Sequence, residues 1–265
     1  MTPDTILAYN DEGLLWPANA DPAAPGDVAA AYESARAVRQ LRIARGELPR
    51  GFKIGFTNRS IWPRYNVFAP IWGTVWRETL HFCDGRGEID LNGTCQPRLE
   101  PECVFGMAKT PPAGVDLDQL FDCLDWVAPG FEVVQSHRPD WKFTATDSIA
   151  DEGLHARLLV GSKLPIASVA PDAAWFNVMI ASTPVSLYRD GELVDGGVGA
   201  NVLDGPLHAL LYFLRELQAC PGAPALQPGD VVTTGTWTDA WPICAGQAWR
   251  AEFEAPLVPL EIALK

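Results

Sequence analysis

From Gly51 onward no single texture lasts long in this chain: short apolar runs (FKIGF, IWGTVW, EIDL, ECVFGM) are cut by Gly, Pro and Asn. That punctuation predicts short strands joined by tight turns rather than long helices. FEVV at 131–134, ARLLVG at 156–161 and PVSLYRDGELV at 184–194 continue the pattern. The last has an Asp190-Gly191 step between alternating runs, a strong hairpin signal. LQPGDVVTTGT at 226–236 reads as a tight turn feeding a buried strand, and VPLEIAL at 258–264 as a closing strand. The Gly-rich DGGVGAN at 195–201 lacks the GxGxxG spacing of a dinucleotide site and reads as a flexible loop.

Helical spacing is confined to a few segments. Asp27 caps a stretch in which Val28, Tyr32, Ala35, Val38 and Leu41 share a stripe, with Arg36, Arg39 and Arg42 largely off it, and Gly46 and Pro49 end it. Asp116 and Gln119 form a capping-box pattern before LFDCLDWV, with Pro129-Gly130 as the expected stop. Asp204 and Pro206 open a helix carrying Leu207, Leu210, Leu211, Leu214 and Leu217 on one face, closed by Pro221-Gly222. Helices do not alternate regularly with strands, which argues against a doubly wound parallel sheet. The expectation is an α+β fold, mixed and mainly β, with a few packed helices. Residues 1–50 form an N-terminal appendage whose turn-rich connector, PANADPAAPGD, precedes the first helix, and 51–265 form the main domain.

A chain of 265 residues can bury roughly 70–75% of its unfolded surface, so neither disulfide nor metal is needed to hold it folded. Twenty Lys and Arg against 33 Asp and Glu leave a charge of −13. That balance excludes nucleic acid and anionic membranes as partners. A small anionic substrate stays possible, because a bound divalent cation can invert a local potential. The six cysteines, at 83, 95, 103, 123, 220 and 244, include no CxxC pair, which fits a reducing compartment. The N-terminus has neither the basic nor the apolar region of a signal peptide, and no apolar run approaches ~20 residues. A cytoplasmic protein is expected.

GxSxG, Walker and HExxH motifs are missing, and His81, His137, His155 and His208 show no ligand spacing. The informative string is Leu99-Glu100-Pro101-Glu102-Cys103-Val104-Phe105. On an extended segment Glu100 and Glu102 share a face. Carboxylates that close repel unless a cation lies between them, and oxygen-only ligands suit Mg²⁺ or Mn²⁺. Taken alone, the pair reads first as two exposed glutamates on an edge strand. Glu132 stands inside apolar GFEVV, and Lys53 inside GFKIGFT, where a charge is costly without a partner. A desolvated lysine near a metal can carry protons, whereas a lone strand lysine commonly snorkels.

The order of the strings GFKIGFT, IWGTVW, LEPECVF, GFEVV, HRPDWKFTATDSIAD, LLVG, GANVLDGPLHALLYF and LQPGDVVTTGTWT resembles the fumarylacetoacetate hydrolase superfamily. Within it, the chain is most similar to the branch of 2-keto-4-pentenoate hydratases and 4-oxalocrotonate decarboxylases, over about residues 28–250. The resemblance implies a mixed β-roll carrying one Mg²⁺ or Mn²⁺. Glu100 and Glu102 match the family's metal-binding ExE pair, and Glu132 its third carboxylate. Lys53 matches the lysine of GxKxGLT, and Gly235-Thr236-Trp237-Thr238 matches the substrate-seating GSxT, which assigns Thr236 and Thr238. Asp147 and Asp151 match the two Asp of DTVADN, where loop capping is an equal reading.

Three departures stand out. Arg77-Glu78-Thr79 replaces a DDM-like ending, so the acidic role there falls to Glu78 or is missing; Asp151-Glu152-Gly153-Leu154 replaces DNAS; and Trp237 and Trp241 replace smaller residues. The implied activity is a metal-dependent hydratase that adds water to a 2-hydroxy-2,4-dienoate through an enolate, with Lys53 moving protons. Decarboxylation of a 4-oxalocrotonate-type acid, acylpyruvate C–C hydrolysis and a non-catalytic oxo-acid scaffold are the alternatives. A decarboxylase needs a second carboxylate site, for which Arg64, Arg77, Arg138 and Lys142 are candidates, each also readable as a solvated cation. A small 2-oxo acid and further copies of the chain are the partners implied.

Overall fold

The structure, a computed structural model, describes residues 1–23 and 26–265. Residues 24 and 25 of the predicted connector lie outside the described residues. Ahead of that connector stands a helix the sequence did not announce, α1 (Pro3–Glu12), which begins where the Thr2 hydroxyl accepts from the Thr5 amide. Helix α2 (Val28–Ala44) starts at Asp27, whose carboxylate accepts from the Ala30 amide at 2.9 Å. Tyr32 and Val38 are buried as the stripe predicts, Ala35 and Leu41 are half-buried, Val28 is exposed, and Ala31, off the predicted stripe, is buried as well. Arg42 is buried too, contrary to its expected place off the stripe, because Glu47 and Glu152 both pair with it.

The strands and short helices follow: β1 (Pro49–Gly55), α3 (Trp62–Tyr65), β2 (Ile71–Trp76), β3 (Leu80–Phe82), β4 (Arg86–Ile89), β5 (Arg98–Met107), α4 (Leu117–Phe121) and β6 (Leu124–Val134). Next come α5 (Ala145–Ala150), β7 (His155–Val160), β8 (Leu164–Pro165), α6 (Ile166–Val169), α7 (Ala173–Ser182), β9 (Pro184–Arg189), β10 (Glu192–Val198) and α8 (Pro206–Ala219). The chain closes with β11 (Val231–Thr236), β12 (Trp241–Pro242), β13 (Ala248–Phe253) and β14 (Leu260–Leu264). One mixed sheet runs β2-β1-β11-β5-β6-β7-β3, with β12 also on β5 and β8 on β6. A second runs β10-β9-β13-β14-β4, and the expected hairpin turn at Asp190-Gly191 joins β9 to β10. The α+β, mainly β expectation holds.

Some local signals yield to tertiary pairing. The Asp116–Gln119 capping box forms, but its helix ends at Phe121, well before Pro129-Gly130. Those two residues lie within β6, whose edges are paired to β5 and β7, and the ladder outweighs the local breaker signal. DGGVGAN is not a flexible loop; most of it is β10, paired to β9. Helix α7 stands where the sequence shows no helical stripe, and it starts at Asp172, whose carboxylate accepts from the Trp175 amide.

Alternation along the strands positions the site. Leu99, Cys103, Phe105 and Met107 of β5, Phe131 and Val133 of β6 and Phe52 and Ile54 of β1 join the main core, together with the leucine face of α8. Val104, Ala128, Leu158, Val160 and Val231 face the other way and form a separate aliphatic cluster. Glu100 and Glu102 keep step with Val104 on β5, Glu132 with Ala128 on β6, and Thr233 with Val231 on β11, so they share that inner face. A third small cluster, Ile6, Leu7, Trp16 and Val38, holds α1 to α2.

Candidate metal centre

Strand β1 and strand β6 stand three places apart in the sheet, about 14 Å if it were flat. Yet Lys53 Nζ lies 3.2 Å from Glu132 Oε2, so the sheet curls and its inner face closes on itself. Register then sets the cluster. Glu100 stands opposite Glu132, and Glu102 opposite Gly130 on one side and Thr236 on the other. A carboxylate oxygen from each of Glu100, Glu102 and Glu132 falls within 4.8 Å of the others. Glu102 and Glu132 are fully buried, and Glu100 is partly exposed to a cavity of about 260 Å³.

Glu102 is held from one side only. Its Oε2 accepts from the Thr233 hydroxyl and from the Gly235 amide at 2.7 Å, while its Oε1 has no hydrogen-bond partner among the described residues. The amide reaches it because β11 shifts register between Thr233 and Thr236. Gly235 has φ +97 there, and a Cβ would lie 1.9 Å from Thr57 Oγ1. Glu132 is oriented by a residue that nothing in the sequence flagged: Glu132 Oε1 lies 2.8 Å from His155 Nδ1, and His155 Nε2 lies 2.8 Å from the Thr79 hydroxyl.

The charges are out of balance without a cation. Burial and the neighbouring carboxylates push the Glu102 carboxyl well up, and burial raises Glu100 to about 7 despite Lys53. Glu132 goes down, since Lys53 and His155 outweigh its burial. Lys53 goes up, because the three carboxylates outweigh the desolvation of its ammonium. His155 goes down through burial, leaving a neutral ring that donates from Nδ1 to Glu132. Three hard oxygens converging around an orphaned buried lone pair fit a divalent ion such as Mg²⁺ or Mn²⁺.

Not every expected residue is brought here. Lys53, Glu100, Thr236 and Thr238 line the cavity. Glu78 does not: it stands on the surface in the short turn after β2 ends at Trp76, paired with Arg77 at 2.9 Å. Asp147 is held away as the reciprocal cap of α5 and pairs with Arg138 at 2.7 Å. Asp151 holds the buried His137, 2.6 Å from its Nδ1. Trp237 is buried against Phe253, and Trp241 donates to Asp195 at 2.8 Å, so neither lines the cavity. Of the proposed second-carboxylate cations only Arg64 does. Lys142 pairs with Asp140 at the surface. Arg98 was missed; it also lines the cavity, and its sequence signal is the charged alternation Arg98, Glu100, Glu102.

No family model matches the chain. It is 29% identical over 241 residues to a 4-oxalocrotonate decarboxylase of Pseudomonas sp., covering 89% of this chain and 88% of the relative. A 2-hydroxyhexa-2,4-dienoate hydratase of Comamonas testosteroni is 28% identical over 226 residues, covering 84% and 81%. The fold matches a solved 4-oxalocrotonate decarboxylase from Pseudomonas putida G7, complexed with magnesium and adipate. That match has a TM-score of 0.83 at 21% identity and covers 100% of this chain and 99% of that one. These similarities bear out the resemblance to the fumarylacetoacetate hydrolase superfamily and its hydratase and decarboxylase branch.

Proposed function

We propose that this chain is a divalent-metal-dependent lyase of small 2-oxo acids, adding water to a 2-hydroxy-2,4-dienoate to give a 4-hydroxy-2-oxo acid. The observation that carries the reading is the convergence of Glu100, Glu102 and Glu132, with an unpartnered buried oxygen on Glu102, beside a buried Lys53. The three glutamates would hold Mg²⁺ or Mn²⁺. When bound, the ion supplies positive charge where a 2-oxo acid develops negative charge at its keto oxygen. Lys53, tethered at Glu132, presents its ammonium to the cavity wall and exchanges a proton with the substrate's carbon skeleton as dienol and keto forms interconvert. Thr236 and Thr238 line the same wall and seat the carboxylate end. Glu78 and Asp147 have no part in this reading, since both lie outside the cavity.

The described relatives include a hydratase and a decarboxylase, and Arg64 and Arg98 on the cavity wall favour a carboxy-lyase as the second reading. Loss of dienol absorbance with CO₂ measured in parallel separates the two. With Mg²⁺, dienol loss without CO₂ marks the hydratase. Chelation of the metal, or Glu102→Ala, is expected to abolish turnover, and turnover that survives either would overturn the mechanism.

We also read residues 1–50 as an appendage on a catalytic domain of 51–265, supported by the separate cluster of Ile6, Leu7, Trp16 and Val38, while Ala31 and Tyr32 of α2 join the main core. No helix among the described residues is long and apolar enough to cross a membrane. The six unpaired cysteines support a cytoplasmic setting. Trp175 and Val178, exposed on α7, support association with further copies of the chain.

A further inference from the structure

We propose that the buried Arg42–Glu152 pair positions Lys53: the guanidinium from α2 pins the turn at 152–154, and that turn walls in the lysine stem so that its ammonium stays at Glu132; this rests on Lys53 carrying protons in the lyase reading. Arg42 and Glu152 are positioning residues. Neither lines the cavity, whereas Gly153 and Leu154 of the turn do, beside Lys53.

Three consecutive residues between α5 and β7 are left-handed: Glu152, Gly153 and Leu154 have φ of +51, +70 and +68. Glycine adopts that conformation freely, but glutamate and leucine do so at a cost that contacts outside the turn must offset. What the turn gains is a close approach to Lys53. On the sheet Lys53 of β1 stands opposite Gly73 of β2. Because Gly73 has no side chain, the Glu152 carbonyl oxygen can lie 1.9 Å from the point a Cβ would occupy. Gly153 follows it in, and a Cβ there would lie 3.0 Å from Lys53 Cδ. The turn thus closes the β2 side of the lysine stem and leaves it the direction of Glu132, 3.2 Å from the ammonium.

The offsetting contacts come from α2 and the end of β2. Glu152 Oε2 meets the Arg42 guanidinium at 2.5 Å, and its Oε1 accepts from the Trp76 indole at 3.2 Å. The guanidinium lies 4.4 Å from the centre of the Trp76 ring and is backed by Glu47 at 2.6 Å. Arg42, Glu152 and Trp76 are all buried. Removing the guanidinium therefore leaves a buried carboxylate without its cation, and the turn must shift to hydrate it. The two ends of the turn are fixed independently, Asp151 on His137 and the Leu154 carbonyl on the Gln135 amide. Loss of Arg42 accordingly frees the middle, Glu152 and Gly153, which is the part that faces Lys53.

The test compares full-length wild type, Arg42→Gln, Arg42→Lys and Lys53→Met, each with Mg²⁺, by two readouts. In turnover of a 2-hydroxy-2,4-dienoate, Arg42→Gln is expected to lower kcat about 10–100-fold while KM and the Kd for Mg²⁺ stay within about twofold of wild type. Arg42→Lys, which returns a cation to Glu152 without the planar fork, should recover part of kcat. In labelling with acetic anhydride read by peptide mass spectrometry, Lys53 of Arg42→Gln should react about fivefold or more faster than in wild type, normalised to exposed Lys142. Cys103, buried on β5, should stay closed to alkylation in both, which separates release of the turn from general unfolding. An unchanged kcat, a fall in kcat matched by lost Mg²⁺ affinity, or unchanged labelling of Lys53 would overturn the proposal. No turnover by wild type, or full turnover by Lys53→Met, would instead overturn the lyase reading beneath it, and the labelling would still decide whether Arg42 holds Lys53 in place.

Discussion

Glu100→Gln should make the metal-free protein more stable while removing its response to Mg²⁺. The carboxyl of Glu100 is pushed from an ordinary 4.5 to about 7 by burial and by Glu132. Between those two values the native chain holds a proton that the unfolded chain has released, so stability falls as pH rises through that window. At roughly 1.36 kcal/mol per pH unit the full cost at pH 8 is about 3.4 kcal/mol. Partial exposure and sharing of charge with the other two glutamates reduce it to about 1–3 kcal/mol. With an unfolding entropy of about 2.1 cal/mol/K per residue, 265 residues give roughly 0.56 kcal/mol/K, so the amide should raise the apo melting temperature by about 2–5 °C at pH 8. Below pH 4.5 the gain should vanish. Mg²⁺ at about 100 times its Kd adds roughly 2.7 kcal/mol, or about 5 °C, to wild type and little to the variant. Differential scanning calorimetry at pH 4.5 and 8, with EDTA or Mg²⁺, reads all four quantities. A variant that melts below wild type at pH 8, or that keeps the full Mg²⁺ shift, would refute the reasoning.

Lys53→Met should abolish dienol turnover while Mg²⁺ still binds in calorimetry; full activity would remove lysine from the mechanism. His155→Leu should weaken Mg²⁺ binding about 10–100-fold, the usual cost of losing a group that orients a ligand. His155→Gln, which can still donate to Glu132, should recover part of that affinity, and equal affinities in the two variants would deny His155 the orienting role. Gly235→Ala places a methyl group against Thr57 Oγ1 in a left-handed backbone, so a loss of about 1–3 kcal/mol and weaker Mg²⁺ binding should appear together. An unchanged melting curve would show that the bulge relaxes freely.

Much of the centre was legible because strand periodicity is local. Glu100 and Glu102 share a face by a spacing of two, and Glu132 and Lys53 betray themselves as charges inside apolar runs. What completes the centre depends on which strands become neighbours. The Gly235 amide and the Thr233 hydroxyl reach Glu102 only through the β11–β5 register, and His155 reaches Glu132 only through β6–β7. Glu78 misled for the same reason, since its family position says nothing of the surface pair with Arg77 that holds it outside. Helix α7 hid because it is apolar nearly all round, without the stripe that marks an amphipathic helix.

Strand β11 does not run the length of β5. It lets go after Thr236, and β12 resumes on the same edge at Trp241, opposite Leu99. Trp237 still donates its amide to the Pro101 carbonyl at 3.1 Å, and beyond it Thr238, Asp239 and Ala240 turn into the cavity wall, which Arg98 and Glu100 share. An insertion or deletion there would change the room beside the glutamates without altering the pairing of β5 with β6, on which the carboxylate cluster depends. Selection could thus resize the substrate through that gap while the carboxylate frame stays fixed, and a loop-length library at 237–240 is the natural place to redirect this scaffold toward longer or shorter acids.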